Sequence, residues 1–422
     1  MNVRLIALNA LIDIISKKGY SNLVVNQTIN KSNLSPQDRS LLTKIVYGTL
    51  QNYYLLEWEV NKYISNKTNS KIKLLLLMSC YQLRFLDNVP SYAIINEAVS
   101  ITKVIHCSWA AGFVNAVLRK LNDNPQGPKL DDFKAEFEYY SIKYSYPYWL
   151  IKMWVKHYGE EVTLKILQDK REPNISLRVN TLKTTKENLL KNPSFIEGNL
   201  SPDALIYKGE EGLGTLQELK DGLVVVQDEA SQMSALTLNP SKNTRVLDMC
   251  AAPGTKSTHL AQIMENTGEI TAIDLHEHRV ELIKESLIRL GVNSVKTLVY
   301  DSTKLEELYQ NESFDYILLD APCSGFGVAK RKPDILINTH QESLDEIINL
   351  QSKLLKVASN LLKKGGFMVY STCTLNKKEN ELQIANLLKE RKDIKLINEQ
   401  TIYPFLYDSD GFYIARLEKV GV

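Results

Sequence analysis

The chain of 422 residues has no apolar run approaching the roughly 20 residues that a membrane-crossing helix needs; its densest aliphatic cluster, Leu74 to Met78, is far shorter. No membrane partner is expected. Cysteine is scarce: five residues, at 80, 107, 250, 323 and 373, an odd number with no Cys-x-x-Cys pair. That pattern argues against a disulfide framework or a zinc site, so no metal is expected and a reducing, cytoplasmic setting is favoured. The N-terminal MNVRLIALNALIDIISKKGY has no small-residue cleavage site and reads as a first helix, not as a signal peptide. There is no internal repeat and no low-complexity tract. Two nucleotide-binding signatures are also missing, the Gly-x-Gly-x-x-Gly of nicotinamide enzymes and the Gly-x-x-x-x-Gly-Lys-[Ser/Thr] of P-loops.

A net charge of +2 conceals an uneven distribution. Residues 1–130 carry fifteen Lys and Arg against seven Asp and Glu, and the remainder is net acidic. A basic end suggests contact with a polyanion there; a solvated, lysine-rich helical surface is the plain alternative. The same stretch has apolar residues at three- and four-residue steps, as in Leu5, Leu8, Leu11, Ile12 and Ile15, and predicts an all-helical domain over 1–130. NDNPQGPK, from Asn122 to Lys129, reads as a linker. Residues 131–221 predict a mixed α+β subdomain, in which aromatics beside Lys152, Lys156 and Arg178 are candidates for stacking on bases, and Trp149 and Trp154 are more simply core anchors. From 222 to 422 strand candidates alternate with amphipathic helices. Alternation of this kind predicts an α/β, Rossmann-like, doubly wound and mostly parallel sheet, with ligands beyond the carboxyl ends of its strands.

In that last region Val246-Leu247-Asp248 ends a strand, and Pro253-Gly254-Thr255-Lys256 leads into a helix. Gly254 permits close backbone approach, and the helix start offers free N–H groups. Asp274, twenty residues after Gly254 at the end of the next strand, can accept from both hydroxyls of a ribose, and Asp301 from an adenine amino group. Lys256 is a loop anchor, a contact for a cofactor carboxylate, or a surface lysine. Two cysteines follow strands: Cys323 in LLDAPCSGFG and Cys373 in MVYSTCTLN. A nucleotide-type cofactor site with two thiols at strand ends suits cytosine, whose carbon 5 is too weak a nucleophile for direct methylation. A thiolate adding to carbon 6 makes carbon 5 enamine-like, and a second residue must then help remove the carbon-5 proton. The residues alone do not say which thiol attacks.

CAAPGTK (Cys250 to Lys256), DAPCSGFG (Asp320 to Gly327), KRKPD (Lys330 to Asp334) and STCTLNKKENE (Ser371 to Glu381) resemble the RNA cytosine-5 methyltransferases that use S-adenosylmethionine. INEAVSITK (Ile95 to Lys103) and FVNAVLRKL (Phe113 to Leu121) are similar to the helical RNA-binding domain of the antitermination factor NusB. The pairing looks like the bacterial Sun/Fmu family, which modifies a cytosine of 16S ribosomal RNA. The resemblance implies S-adenosylmethionine contacts from Cys250, Ala251, Ala252, Pro253, Gly254, Thr255 and Lys256 and from Asp274, Asp301 and Asp320. It implies Cys373 as nucleophile and Cys323 as the helper in product release, with Asp320 also placed to hold the cytosine N3 proton. The implied partner is 16S ribosomal RNA, free or in an early small-subunit particle, and the chain is expected to act as a monomer. A nearby helix N-terminus or a basic side chain such as Lys330 is expected to favour the thiolate. One departure stands out: the family loop usually runs CAAPGGK, so the backbone at Thr255 has to avoid positive φ or tolerate strain. Rival readings are a tRNA cytosine-5 methyltransferase and, from another class, an RNA-binding assembly or antitermination factor with an inactive enzyme domain. The intact thiol pair argues against the latter.

Overall fold

The computed structural model describes residues 2–125, 127–169, 171, 173–210 and 212–421. They form two compact units: Met1–Gln168 with Ala329–Gln341, and Asp169–Val328 with Glu342–Val422. Among the described residues no helix is long and apolar enough to cross a membrane.

The first unit is helical. Helices Val3–Ile15, Ser21–Lys31, Pro36–Gln51, Tyr53–Asn61, Ser91–Val104 and Ala111–Asp123 gather round Ser70–Phe85. That central helix carries the Leu74–Met78 cluster, and every residue from Leu74 to Gln82 is buried. A helix apolar on all sides must have neighbours on all sides. The junction expected near residue 130 is not where the units divide. Helices Glu136–Tyr144, Tyr148–Tyr158 and Glu160–Gln168 continue the first unit. Side chains hold them there: Tyr54 N donates to Ser145 Oγ at 3.0 Å, and the Trp58 and Phe133 rings stack with centroids 5.8 Å apart. Trp154, 1% exposed, is the core anchor expected of it.

The KRKPD segment also departs from expectation. Ala329–Gln341 belongs to the first unit although the catalytic motifs flank it in sequence. Its short helix, Asp334–Asn338, is fastened by Ser21 Oγ donating to buried Asp334, by Tyr54 Oη donating to Leu336 O at 2.7 Å, and by Asn338 Nδ2 donating to Ile14 O at 3.1 Å.

The second unit holds two sheets. Strands β1 (Ile175–Val179), β2 (Phe195–Glu197), β3 (Ala204–Tyr207) and β4 (Val224–Val226) form a small antiparallel sheet in the order β2-β3-β1-β4. Strands β5 (Arg245–Asp248), β6 (Glu269–Asp274), β7 (Val295–Val299), β8 (Phe314–Asp320), β9 (Leu362–Thr372), β10 (Ile394–Ile402) and β11 (Phe412–Lys419) form the main sheet, ordered β10-β11-β9-β8-β5-β6-β7. Pairings from β7 through β9 are parallel, whereas β11 runs antiparallel to both β9 and β10. Alternate strand residues face opposite layers, as the pleat requires. Leu247 and Ile317 join a core with Leu354, Leu355 and Ala358, while Val246 and Leu318 join one with Leu260 and Ile283. The sheet is therefore covered on both faces, and its carboxyl edge is left to carry Asp248, Asp274, Asp320 and Thr372.

Candidate active site

The glycine loop joins β5 to the helix Thr255–Ile263. Gly254 has φ +96°, and a Cβ added there would lie 3.1 Å from Ile283 Cγ2 and 3.3 Å from its Cα, so only glycine suits the turn. The left-handed residue is Gly254 alone: Thr255 is the first residue of the helix and has no positive φ. That is why threonine is tolerated where the family loop has glycine. No side chain caps this helix, so its leading N–H groups remain open. Ala251 N donates to Ile273 O at 2.8 Å and Gly254 N to Ala251 O at 2.7 Å, tying Cys250–Gly254 against β6.

Acidic groups cluster along this edge. Asp274, 5% exposed, accepts from His276 N at 3.2 Å and lies 3.4 Å from Arg279 Nη1. Asp301 Oδ1 accepts from Thr303 N and Oγ1, which holds its carboxyl below the usual range. Asp248, wholly buried, accepts from Ser257 Oγ at 2.6 Å, yet its Oδ1 has no donor among the described residues. Burial pushes its pKa up to about 7, and the Asp320 charge adds to the rise. Burial also pushes the Cys250 thiol up, with Asp248, Asp320 and Asp274 contributing, so Cys250 stays protonated.

The two thiols meet. Cys323 Sγ and Cys373 Sγ are 3.3 Å apart, each partly exposed. The hydrogen bond to Cys373, then burial and the charges of Cys373, Glu379 and Asp320, hold the Cys323 pKa well above that of an ordinary thiol. The protonated form of Cys323 is thereby favoured. Beside the pair, Lys256 Nζ donates to Asp320 Oδ2 at 2.7 Å while Ser371 Oγ donates to Asp320 Oδ1 at 2.8 Å. Burial alone would lower the Lys256 pKa, but Asp320, Cys373 and Asp248 outweigh it and raise it. Lys256 is therefore neither a surface lysine nor a mere loop anchor. Lys330, the basic side chain named from the sequence, groups with the first unit.

Comparison with known proteins agrees with the two halves of the chain. Residues 235–418 match the family described as 16S rRNA methyltransferase RsmB/F, residues 1–123 match the NusB family, and 146–192 match the RsmF/B-like ferredoxin-like domain. A protein of Bacillus subtilis named "Probable ribosomal RNA small subunit methyltransferase B" is 37% identical over 100% of this chain and 99% of its own length. The chain belongs to the 16S rRNA methyltransferase RsmB/F family. The Shewanella oneidensis ribosomal RNA small subunit methyltransferase B is 32% identical, with 99% of each chain covered. Among solved structures, the crystal structure of PH0851 has a TM-score of 0.85 at 27% identity, covering 99% of each chain. That of NSun6 from Pyrococcus horikoshii with SFG has 0.59 at 25%, covering 65% of this chain and 99% of the other.

S-adenosylmethionine is the cofactor of this fold, and the residues present suit it. The molecule carries positive sulfonium and ammonium groups. The carboxyl edge offers four aspartates to those cations, one with a buried oxygen still lacking a donor, and the uncapped helix start offers open N–H groups to the molecule's carboxylate.

Several polar groups at the site escape sequence reasoning. Arg178, a candidate for RNA contact by sequence, is 1% exposed; it donates to Thr255 O at 2.6 Å, to Thr258 Oγ1 at 3.1 Å and to Gln227 Oε1. Glu379, within the STCTLNKKENE motif, is buried between the two cysteine loops. Lys377, Lys378 and the asparagines around it give the stretch the look of a solvated turn, and only burial sets Glu379 apart.

Proposed function

We propose that this protein methylates carbon 5 of a cytosine in 16S ribosomal RNA through a covalent cysteine–cytosine intermediate. The observation that carries the reading is the thiol pair, 3.3 Å apart, beside the Lys256–Asp320 pair at the cofactor-binding edge. The ribosomal substrate follows the names of full-length relatives, and a cytoplasmic setting goes with it.

When bound, S-adenosylmethionine supplies an electrophilic methyl group. The chain's own residues prepare the base. Cys323 retains its proton and Lys256 favours an anion nearby, which leaves Cys373 as the thiolate that adds to carbon 6. Addition puts negative charge on the ring, and N3 takes a proton from water, which it returns when Cys373 departs; Asp320 accepts from Lys256 and Ser371 and still has lone pairs with which to hold that N3–H. Carbon 5 gains enamine character and takes the methyl group. With Cys373 bonded to carbon, its charge and its hydrogen bond to Cys323, two of the causes that raise the Cys323 pKa, are gone. Cys323 can then lose its proton to water and accept the one on carbon 5, after which Cys373 departs as thiolate.

Gel analysis after denaturation, with substrate RNA and cofactor, tests the roles. Cys373→Ala should give neither methylation nor covalent adduct, whereas Cys323→Ala should accumulate a denaturation-resistant adduct. The opposite pattern would exchange the two roles, and methylation by Cys373→Ala at the wild-type rate would end the covalent reading. Bisulfite sequencing of the product RNA tests the carbon-5 position separately.

A further inference from the structure

A carboxylate shut away from solvent lies between the two cysteine loops. Glu379 is 0% exposed, and its oxygens accept four hydrogen bonds. Oε2 accepts from Ser324 N at 2.9 Å and Gln351 Nε2 at 3.0 Å; Oε1 accepts from Ser324 Oγ at 2.5 Å and Asn376 Nδ2 at 2.9 Å. Ser324 adjoins Cys323, and Asn376 lies three residues past Cys373. Gln351, on the helix Leu344–Leu361, also donates to Pro322 O at 2.9 Å, so a third element is fastened at the same point.

We propose that Glu379 is a positioning residue for the thiol pair, its carboxylate fastening the Cys323 loop to the Cys373 loop and setting a fixed negative charge beside Cys323. The inference rests on the cysteine chemistry proposed above. Its geometric half is a matter of reach. Cys323 and Cys373 lie on loops after different strands, and no covalent link sets their separation. Glu379 ties both loops, with help from Ser324 Oγ against Thr374 Oγ1 at 2.7 Å and Gly327 N donating to Cys373 O at 3.1 Å. Gly327 permits that approach, since a Cβ there would meet Gly411 O at 1.8 Å and Cys373 O at 2.8 Å.

The electrostatic half follows from the donors. All four are uncharged, so they satisfy the carboxylate without cancelling its charge. The groups that face Cys323 are Cys373 and Asp320, with Lys256 beside them, then Glu379 and Tyr370, whose hydroxyl donates to Glu379 O at 2.6 Å. A fixed negative charge next to Cys323 makes its thiolate harder to form. The attacking anion is thereby left to Cys373, whose charge is among those that act on Lys256.

The test is iodoacetamide alkylation of the full-length protein across pH, read at each cysteine by mass spectrometry, without RNA. In the wild type the Cys323 midpoint should lie above that of an ordinary thiol. In Glu379→Gln the Cys323 midpoint should fall by about one pH unit or more, while S-adenosylmethionine affinity stays within about twofold, which also reports folding. An unchanged Cys323 midpoint in a variant that binds cofactor would overturn the proposal. Ser324→Ala provides a second, milder arm with the opposite sign. Removing one donor leaves the Glu379 charge less compensated, so the Cys323 midpoint should rise; a fall or no change would count against the proposal. Because neither arm uses substrate, a wrong assignment of the methylated atom would leave both results intact.

Discussion

Arg178 Nη1 donates to the carbonyl oxygen of Thr255 at 2.6 Å. The bond joins β1 of the small sheet to the first residue of the helix that follows the cofactor loop. Burial pushes the Arg178 pKa down to about 9, with Arg289 adding to the fall and Asp203 opposing it. Arg178→Met removes three hydrogen bonds and leaves Gln227 Oε1 without its donor in the interior, while Thr255 O keeps the bond from Thr258 Oγ1. Unfolding in denaturant should show a loss of about 2–4 kcal/mol, and calorimetric titration should show at least about tenfold weaker S-adenosylmethionine binding. Unchanged affinity in the destabilised variant would mean that the bond serves folding alone.

Asp274 is expected to hold the ribose of the cofactor. Asp274→Ala should remove two charge-assisted hydrogen bonds worth roughly 1.5–3 kcal/mol each, although Arg279, 3.4 Å from the carboxylate, is then released as well. Calorimetric titration decides the matter, and an affinity equal to the wild type would reassign the residue.

Acid should weaken the second unit through His259. Its ring is fully buried, with Nε2 2.9 Å from Asp203 Oδ2 and no partner at Nδ1 among the described residues. Burial holds its pKa at about 4, below the ordinary 6.5; Arg178 pushes the same way and Asp203 pulls back. Between those values the unfolded chain takes up a proton that the folded chain refuses. This contribution to stability is therefore full above about pH 6.5 and is lost as pH falls toward 4, by at most about 1.4 kcal/mol per pH unit. His259→Gln keeps an amide donor for Asp203 but does not titrate, so urea melts over that range should lose this slope. An unaltered slope would assign the acid sensitivity to other groups.

The proposed RNA-binding role of the first unit can be tested where charge and an exposed ring occur together. Lys103, Arg119 and Lys120 are exposed, and so is Trp109, at 72%. Changing the three basic residues to Glu should weaken RNA binding and flatten its salt dependence, because a protein that neutralises fewer phosphates releases fewer counterions. S-adenosylmethionine binding should not change. Fluorescence anisotropy across a salt series measures both affinity and slope for RNA, and a slope like the wild type's would place the RNA on another surface.

How far the sequence could be read depended on whether a signal was local. Helix periodicity in the first unit and the strand-end aspartates depend on near neighbours, and both are where periodicity and spacing put them. Strand β10 was not legible: only Ile394, Ile402 and the half-buried positions between them leave solvent, so its pattern is that of a polar edge. The antiparallel entry of β11 between β9 and β10 likewise leaves no mark in the alternation of strands and helices. At the site, motifs identified both cysteines, but their meeting depends on Glu379, Gln351 and Ser324, polar residues whose importance comes only from burial. That the first unit runs on to Gln168 was hidden for the same reason, since Trp58 against Phe133 is a long-range pairing that composition cannot reveal.

The hydrogen bond from Ser21 to Asp334 spans 313 positions of the chain, and that from Tyr54 to Leu336 spans 282. On a translating ribosome the N-terminal helices emerge first, yet one piece of their packing surface is still unsynthesised. The unit can finish assembling only after the peptide has lengthened past Gln341, by which time the segment carrying Cys323 has been made too. Vectorial synthesis thus couples the completion of the helical unit to the appearance of one of the two thiols, and no single cut between consecutive residues can release that unit whole.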